Sequence, residues 1–315
     1  MADKARKATD KRLEHMERHL SAIYSRTNNE LNEKANIFFE QFKEMDEKKR
    51  ALVEAGKLDE KEYQRWRRTK IFQGKHWTKM KEQSAQMLLN TNQIATAYIN
   101  GELPSIYVTN YNFSAGQIER GCSHAISFEM ANEQTVKELT FAGNKSYFPQ
   151  RKIEPAKDKR WNMRKINAEM LQGIRQGESI PEIASRFQSV GVANRNSAIR
   201  AARTFVTTVE NKARQDTAEK ASEKGVVLEK CWLTVADERT REAHMDAGAD
   251  YGTDDKSIPI DRPFIVDGEE LMFPGDPSAS GKNVWNCRCS RRNVVKGFKS
   301  ILPPEKRGKI KVKFL

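Results

Sequence analysis

Through its first hundred residues the chain repeats apolar side chains three and four places apart and separates them with charge. Over so long a run that spacing admits one element, the amphipathic helix. Leu13, Leu20, Tyr24 and Leu31 share one face, and Ile37, Phe38, Phe42, Met45 and Leu52 carry it on. Gly56 breaks the run, and Asp59 with Glu62 three places later has the form of a capping box for the next helix. A further helix is expected from Thr78 through Met87, Leu88, Ile94 and Tyr98, ending at Gly101-Glu102-Leu103-Pro104. The stripes are thin: charged residues make up 31% of the 315 and the mean hydropathy is −0.79. Such polarity predicts an elongated, solvated helical region rather than a thick globule.

Residues 105–113 are rich in β-branched and aromatic types, which predicts a short strand or extended loop. Ser114 with Gln117 signals another cap, with helix to about residue 140. The stretch 142–160, holding Gly143, Pro149 and Pro155, reads as a linker. Helix resumes with Trp161, Ile166, Met170, Leu171 and Ile174 on one face, closed by Gly177. Ser179, Pro181 and Glu182 open a helix expected to end near Gly191, and a long one follows from Asn194 to Lys224. Beyond Gly225 the character changes. Residues 226–235 are strand-like, Asp237 is placed to cap a short helix through His244, and extended pieces fall at 263–266 and 270–273. The fold class expected is mainly α with a small C-terminal α+β module. Its parts are a helical region 1–141, a linker 142–160, a helical middle 161–225, the module 226–296 and a mobile basic tail 297–315.

The net charge of +13 and a pI of about 9.5 favour a polyanionic partner, nucleic acid first and an acidic membrane surface second. The plainer alternative is a basic, soluble surface. No run approaches the roughly 20 apolar residues that cross a bilayer, so no membrane partner is expected. Residues 1–7 carry no apolar signal core. The four cysteines, Cys122, Cys231, Cys287 and Cys289, are therefore expected reduced, in a cytoplasm.

The densest constellation lies between residues 231 and 289. Trp232 is followed by Asp237, Arg239, Thr240, Arg241 and His244, then Pro274-Gly275-Asp276-Pro277, then Asn286-Cys287-Arg288-Cys289. The Pro-Gly-Asp-Pro stretch is a turn. Arg239 and Arg241 offer forked donors to carboxylate or phosphate. Cys287 and Cys289 face one side if the segment is extended. His244, Cys287 and Cys289 are ligand types that suit zinc, with Asp237, Cys231 or water as a fourth ligand. Against this, Cys-x-Cys is not the usual hook, and the same residues also read as small buried hydrophobes beside a hydrogen-bonded histidine.

Taken in order, these motifs resemble the phage Mu F-like head morphogenesis, or minor head, proteins. The upstream Gly177-Glu178-Ser179, Ile183-Ala184, Arg203-Thr204 and Glu210-Asn211 fit the same resemblance, which covers roughly residues 160–292. It implies a minor capsid protein needed for head assembly, docked inside the procapsid against portal, scaffold or major capsid protein, with Trp232, Asp237, Arg239, Thr240, Arg241, Pro274, Gly275, Asp276, Asn286 and Arg288 as structural motif residues. It carries no expectation for residues 1–150.

Basic clusters supply a nucleic-acid reading. Arg65, Trp66, Arg67, Arg68, Lys70 and Lys75 lie close together with Trp77 nearby; Lys152, Lys159 and Arg160 form a second group; Lys309, Lys311 and Lys313 form a third. Cations release phosphate counterions and aromatics stack on bases. With no base-reading signature present, double-stranded DNA is expected to be gripped by its backbone, without sequence preference. Gly-x-Ser-x-Gly, a phosphate loop and His-Glu-x-x-His are all missing from the sequence, so catalysis is not expected. The rival readings are a metal-dependent nuclease or hydrolase built on His244, Asp237, Cys287 and Cys289, a phage-delivered effector, and a cellular DNA-compaction protein. The location expected is the virion interior, after assembly in a host cytoplasm.

Overall fold

The computed structural model describes residues 3–141, 148–298 and 310–314. The chain order is α1 (Lys4–Glu54), α2 (Glu60–Lys70), α3 (Lys75–Gly121), β1 (Ile126–Phe128), α4 (Glu133–Phe141), α5 (Pro155–Arg175), α6 (Ile180–Glu223), β2 (Val226–Leu233), α7 (Glu242–Tyr251), β3 (Ile258–Pro259), β4 (Phe264–Val266), β5 (Glu269–Leu271), α8 (Gly281–Val284), β6 (Ser290–Phe298) and β7 (Ile310–Val312). Helix dominates and the strands are short, as the polar, striped sequence predicts. No helix among the described residues is long and apolar enough to cross a membrane.

Contacts gather into two compact units, each drawn from separated stretches. One holds residues 17–97 and 152–199; the other holds 1–16, 98–151 and 200–315. These are not the consecutive blocks read from the sequence, because α1, α3 and α6 each contribute to both.

The first unit is all helix. Its core joins Phe38, Phe39, Phe72, Trp77 and Phe187, with Trp77 meeting Phe72 edge-on at 5.3 Å. The Asp59 cap forms, its carboxylate accepting from the backbone N–H groups of Lys61 and Glu62. A helix end at Gly191 does not. A Cβ there would lie 1.5 Å from Asn28 Oδ1, so this glycine serves close helix approach rather than termination. Residues 155–160, expected as linker, are the first turns of α5, with Pro155 at the N-terminal position that lacks an intrahelical N–H bond in any case.

In the second unit, residues 105–113 are helical and α3 runs through Pro104 and Ser114. Ile106, Tyr107, Tyr111 and Ile118 are buried at helical spacing, and Tyr107 stacks on Tyr111 at 6.0 Å. Packing of that face outweighs the strand propensity of its residues. The expected C-terminal module is present as an antiparallel sheet ordered β3-β2-β6 and a hairpin β4-β5. The hairpin turns on Asp267-Gly268, both with positive φ, the form that matches strand twist. Part of the expected mobile tail is strand: β7 pairs in parallel with β1, Ile126 opposite Ile310.

Candidate metal centre and its scaffold

One face of α6 organises the site. Thr204, Thr207, Asn211 and Arg214 recur at intervals of three and four, and each bonds the backbone of the segment 286–291. Thr204 Oγ1 gives its proton to the Arg200 carbonyl and accepts from Asn286 N at 3.1 Å. Thr207 Oγ1 donates to Cys287 O at 2.6 Å. Asn211 Nδ2 donates to Cys289 O at 3.2 Å and Pro274 O at 3.1 Å, while its Oδ1 accepts from Arg291 N at 2.8 Å. Arg214 Nη1 donates to Arg291 O at 3.0 Å. The geometry is self-consistent: ten helical residues rise about 15 Å, and five extended residues cover roughly 17 Å. An extended chain therefore keeps step with this polar stripe.

Charge anchors the same face. Glu210, fully buried, has its carboxyl pushed up by burial and pulled down by Arg6 and Arg214. Arg6 Nη1 reaches it at 2.9 Å and Arg6 Nη2 donates to Arg288 O. Arg214 also bonds Asp3 Oδ2 at 2.6 Å and Asn110 Oδ1 at 3.0 Å.

The motif residues fall around this ladder. Asp237 does not cap a helix; it folds the 237–240 turn by accepting from Arg239 N and Thr240 Oγ1, both at 3.1 Å, and α7 starts later at Glu242. Arg288 grips the same carboxylate with both Nη atoms, which holds Asp237 well below the usual carboxylate range. The Arg239 side chain is exposed, and Arg241 donates to Trp285 O. In the Pro274–Pro277 turn Gly275 has φ +79 and lends its carbonyl to Thr208 Oγ1 at 2.7 Å. Asp276 closes that turn by accepting from Met272 N, Ser278 N and Ser278 Oγ. Asn286 adopts a φ of +56, tolerated by its short polar side chain, and launches the extended run.

That run presents Cys287 and Cys289 to one side, where α7 supplies His244. Nδ1 of His244 lies 3.6 Å from Cys287 Sγ and 3.5 Å from Cys289 Sγ, and all three ligand atoms lie within 4.8 Å of one another. All three residues are buried, under the Trp232 ring, which meets the imidazole edge-on at 5.5 Å. Cys289's hydrogen bond, followed by that of His244, pulls the Cys287 thiol down against its burial, and the same contact with Cys287 pushes Cys289 up. Among the described residues the group has three members. The other two expected candidates are placed elsewhere: Cys231 Sγ contacts Thr253 O at 3.3 Å, and Asp237 is taken by Arg288.

The basic clusters divide. Arg65, Arg68 and Lys70 on α2 and Lys75 at the start of α3 are exposed, as are Lys152, Arg160, Lys311 and Lys313; Lys159 is half-buried. Lys309 lies outside the described residues. Arg67 corrects its expectation. It is buried, ion-paired with Asp46 at 3.0 Å and bonded to Glu178 O at 2.6 Å, so it is not presented to a phosphate. Trp77 is core, and Trp66 is half-buried and stacked on Tyr63 at 6.3 Å.

The sequence motifs pass over the ladder's Thr207 and Arg214 and, beside them, Thr208, which holds Gly275 O. Their signal was a run at core spacing made of polar residues, which periodicity scored on apolar side chains passes over.

Residues 164–292 match the family model described as Phage Mu protein F like protein. A curated relative, the NAD(+)--arginine ADP-ribosyltransferase EFV of Enterococcus faecalis (strain ATCC 700802 / V583), is 25% identical over 216 residues, which is 65% of this chain and 43% of the relative. The chain thus spans less than half the length of that relative. No solved structure matches it.

Proposed function

We propose, from the match of residues 164–292 to the Phage Mu protein F like family model, that the protein is a minor head component of a tailed bacteriophage, acting in head morphogenesis. One observation carries the structural reading: the family segment spends its polar residues on its own backbone. Thr204, Thr207, Asn211, Asp237 and Asp276 all bond loop and strand atoms of the same unit. That is the chemistry of a rigid building piece. Quantitative mass spectrometry of procapsids and virions tests this, with the protein expected at low, fixed copy number. Particles that assemble and infect normally without it would overturn the reading.

The finer proposal is that the protein lies inside the capsid near portal, scaffold or major capsid protein, and holds DNA by its phosphates. Support comes from one unit, where α2 packs against α5. These helices and their flanks carry exposed Arg65, Arg68, Lys70, Lys75, Lys152 and Arg160. Gel shifts are expected to weaken steeply from low to physiological salt and to ignore sequence. Binding that is unaffected by salt would count against it.

The 25% identity to a named ADP-ribosyltransferase supports a second reading, an effector-type transferase. Incubation with labelled NAD and an arginine-containing acceptor tests it. We expect no transfer; transfer abolished by a point substitution in this chain would establish the second reading.

A further inference from the structure

We propose that His244 Nδ1, Cys287 Sγ and Cys289 Sγ bind one soft divalent ion of the zinc class, which staples α7 to the segment 286–291. Two thiolates and an imidazole select zinc-class ions over magnesium or calcium, which take oxygen. The spacing suits the ion. Zn–S and Zn–N bonds of about 2.3 and 2.1 Å at a tetrahedral angle place sulphur and nitrogen about 3.6 Å apart. The observed separations are 3.6 and 3.5 Å, to the same ring nitrogen.

Charge also fits. The site is buried beneath Trp232, and two thiolates cancel a divalent cation, so the loaded centre adds no net charge to the interior. The ligands are held in place by other bonds. Thr207 fixes the Cys287 carbonyl and Asn211 the Cys289 carbonyl, so alternation along the extended run directs both sulphurs to α7. Binding releases the two thiol protons to solvent and changes no oxidation state. Three protein ligands leave one tetrahedral position for an exogenous ligand.

The test uses the full chain, purified under reducing conditions and loaded with zinc or cobalt(II) alone. One equivalent of metal is expected, with sulphur-to-cobalt charge-transfer absorption. Zinc-edge X-ray absorption on the unaltered protein should report two sulphur neighbours at about 2.3 Å with a nitrogen near 2.1 Å. That measurement needs no variant. Cys289→Ser and His244→Ala should lose the cobalt signature, while Cys231→Ser and Cys122→Ser keep it. Zinc bound well below one equivalent, an oxygen-only shell, or a folded Cys289→Ser protein with the unaltered cobalt spectrum would each overturn the proposal.

Discussion

The α6 face and the α2 helix are both rich in polar side chains, and they use them oppositely. On α6, Thr204, Thr207, Asn211 and Arg214 are buried, and their hydrogen bonds go to backbone atoms of 286–291. On α2, Arg65, Arg68 and Lys70 stand in solvent. Arg67, in the middle of that basic run, behaves like an α6 residue, buried against Asp46. Burial decides what a cation is for. A desolvated guanidinium needs a counter-charge or acceptor beside it and so fixes structure, whereas a hydrated one remains available to an outside anion.

Arg214→Ala should have the largest effect on stability. It strips a buried carboxylate and three further acceptors of their donor. We expect a loss of about 3–5 kcal/mol in denaturant unfolding. Arg67→Ala should cost about 3 kcal/mol for the same reason and leave DNA retention of the folded fraction unchanged. If it lost DNA affinity without losing stability, the assignment of Arg67 to the interior would be wrong.

Asn211→Ala removes bonds to Pro274 O, Cys289 O and Arg291 N together. A cost of about 2–3 kcal/mol is expected, with hydrogen exchange quickening first at residue 291.

Lys230 is a buried cation whose cost depends on pH. Its ammonium is buried, donates to Met272 O at 2.8 Å, and is pushed down to about 7 by burial and then by Arg291. Unfolded lysine titrates near 10.4. Between those values the unfolded chain binds more protons than the folded one, so stability rises with pH across that window and is lowest below it. Lys230→Met should flatten the slope and raise stability at neutral pH by about 1–3 kcal/mol. An unchanged slope in urea melts from pH 7 to 10 would refute this.

The smallest effect on folding belongs to Arg68→Ala with Lys70→Ala, within about 0.5 kcal/mol. The same pair should reduce the salt dependence of DNA binding by up to about two counterions.

The Asp59 cap, the 226–233 strand, the turn at Gly275 and the shared side of Cys287 and Cys289 were local matters, set by capping chemistry, β-branching, turn residues and alternation. Asp267-Gly268 is likewise a local hairpin signal, outside the extended pieces expected at 263–266 and 270–273. The strand or extended loop expected at 105–113 failed because local propensity lost to a helical face on which Tyr107 and Tyr111 stack, with Phe148 against Tyr107. The end expected at Gly191 failed because a glycine that admits a neighbour looks, in sequence, like one that ends a helix.

By itself, the sequence determined that long striped helices would carry a small sheet-bearing module near the C-terminus, and that two cysteines would point one way. The periods of 3.6 and 2 are properties of single segments, and they need no partner to be read. Only the tertiary structure decided how close His244, grouped with the two cysteines by residue type in the sequence, would come to both sulphurs, and that Arg67 would turn inward while Arg68 stayed in water. Those outcomes depend on which surfaces meet. Adjacent arginines are chemically identical until packing removes water from one of them.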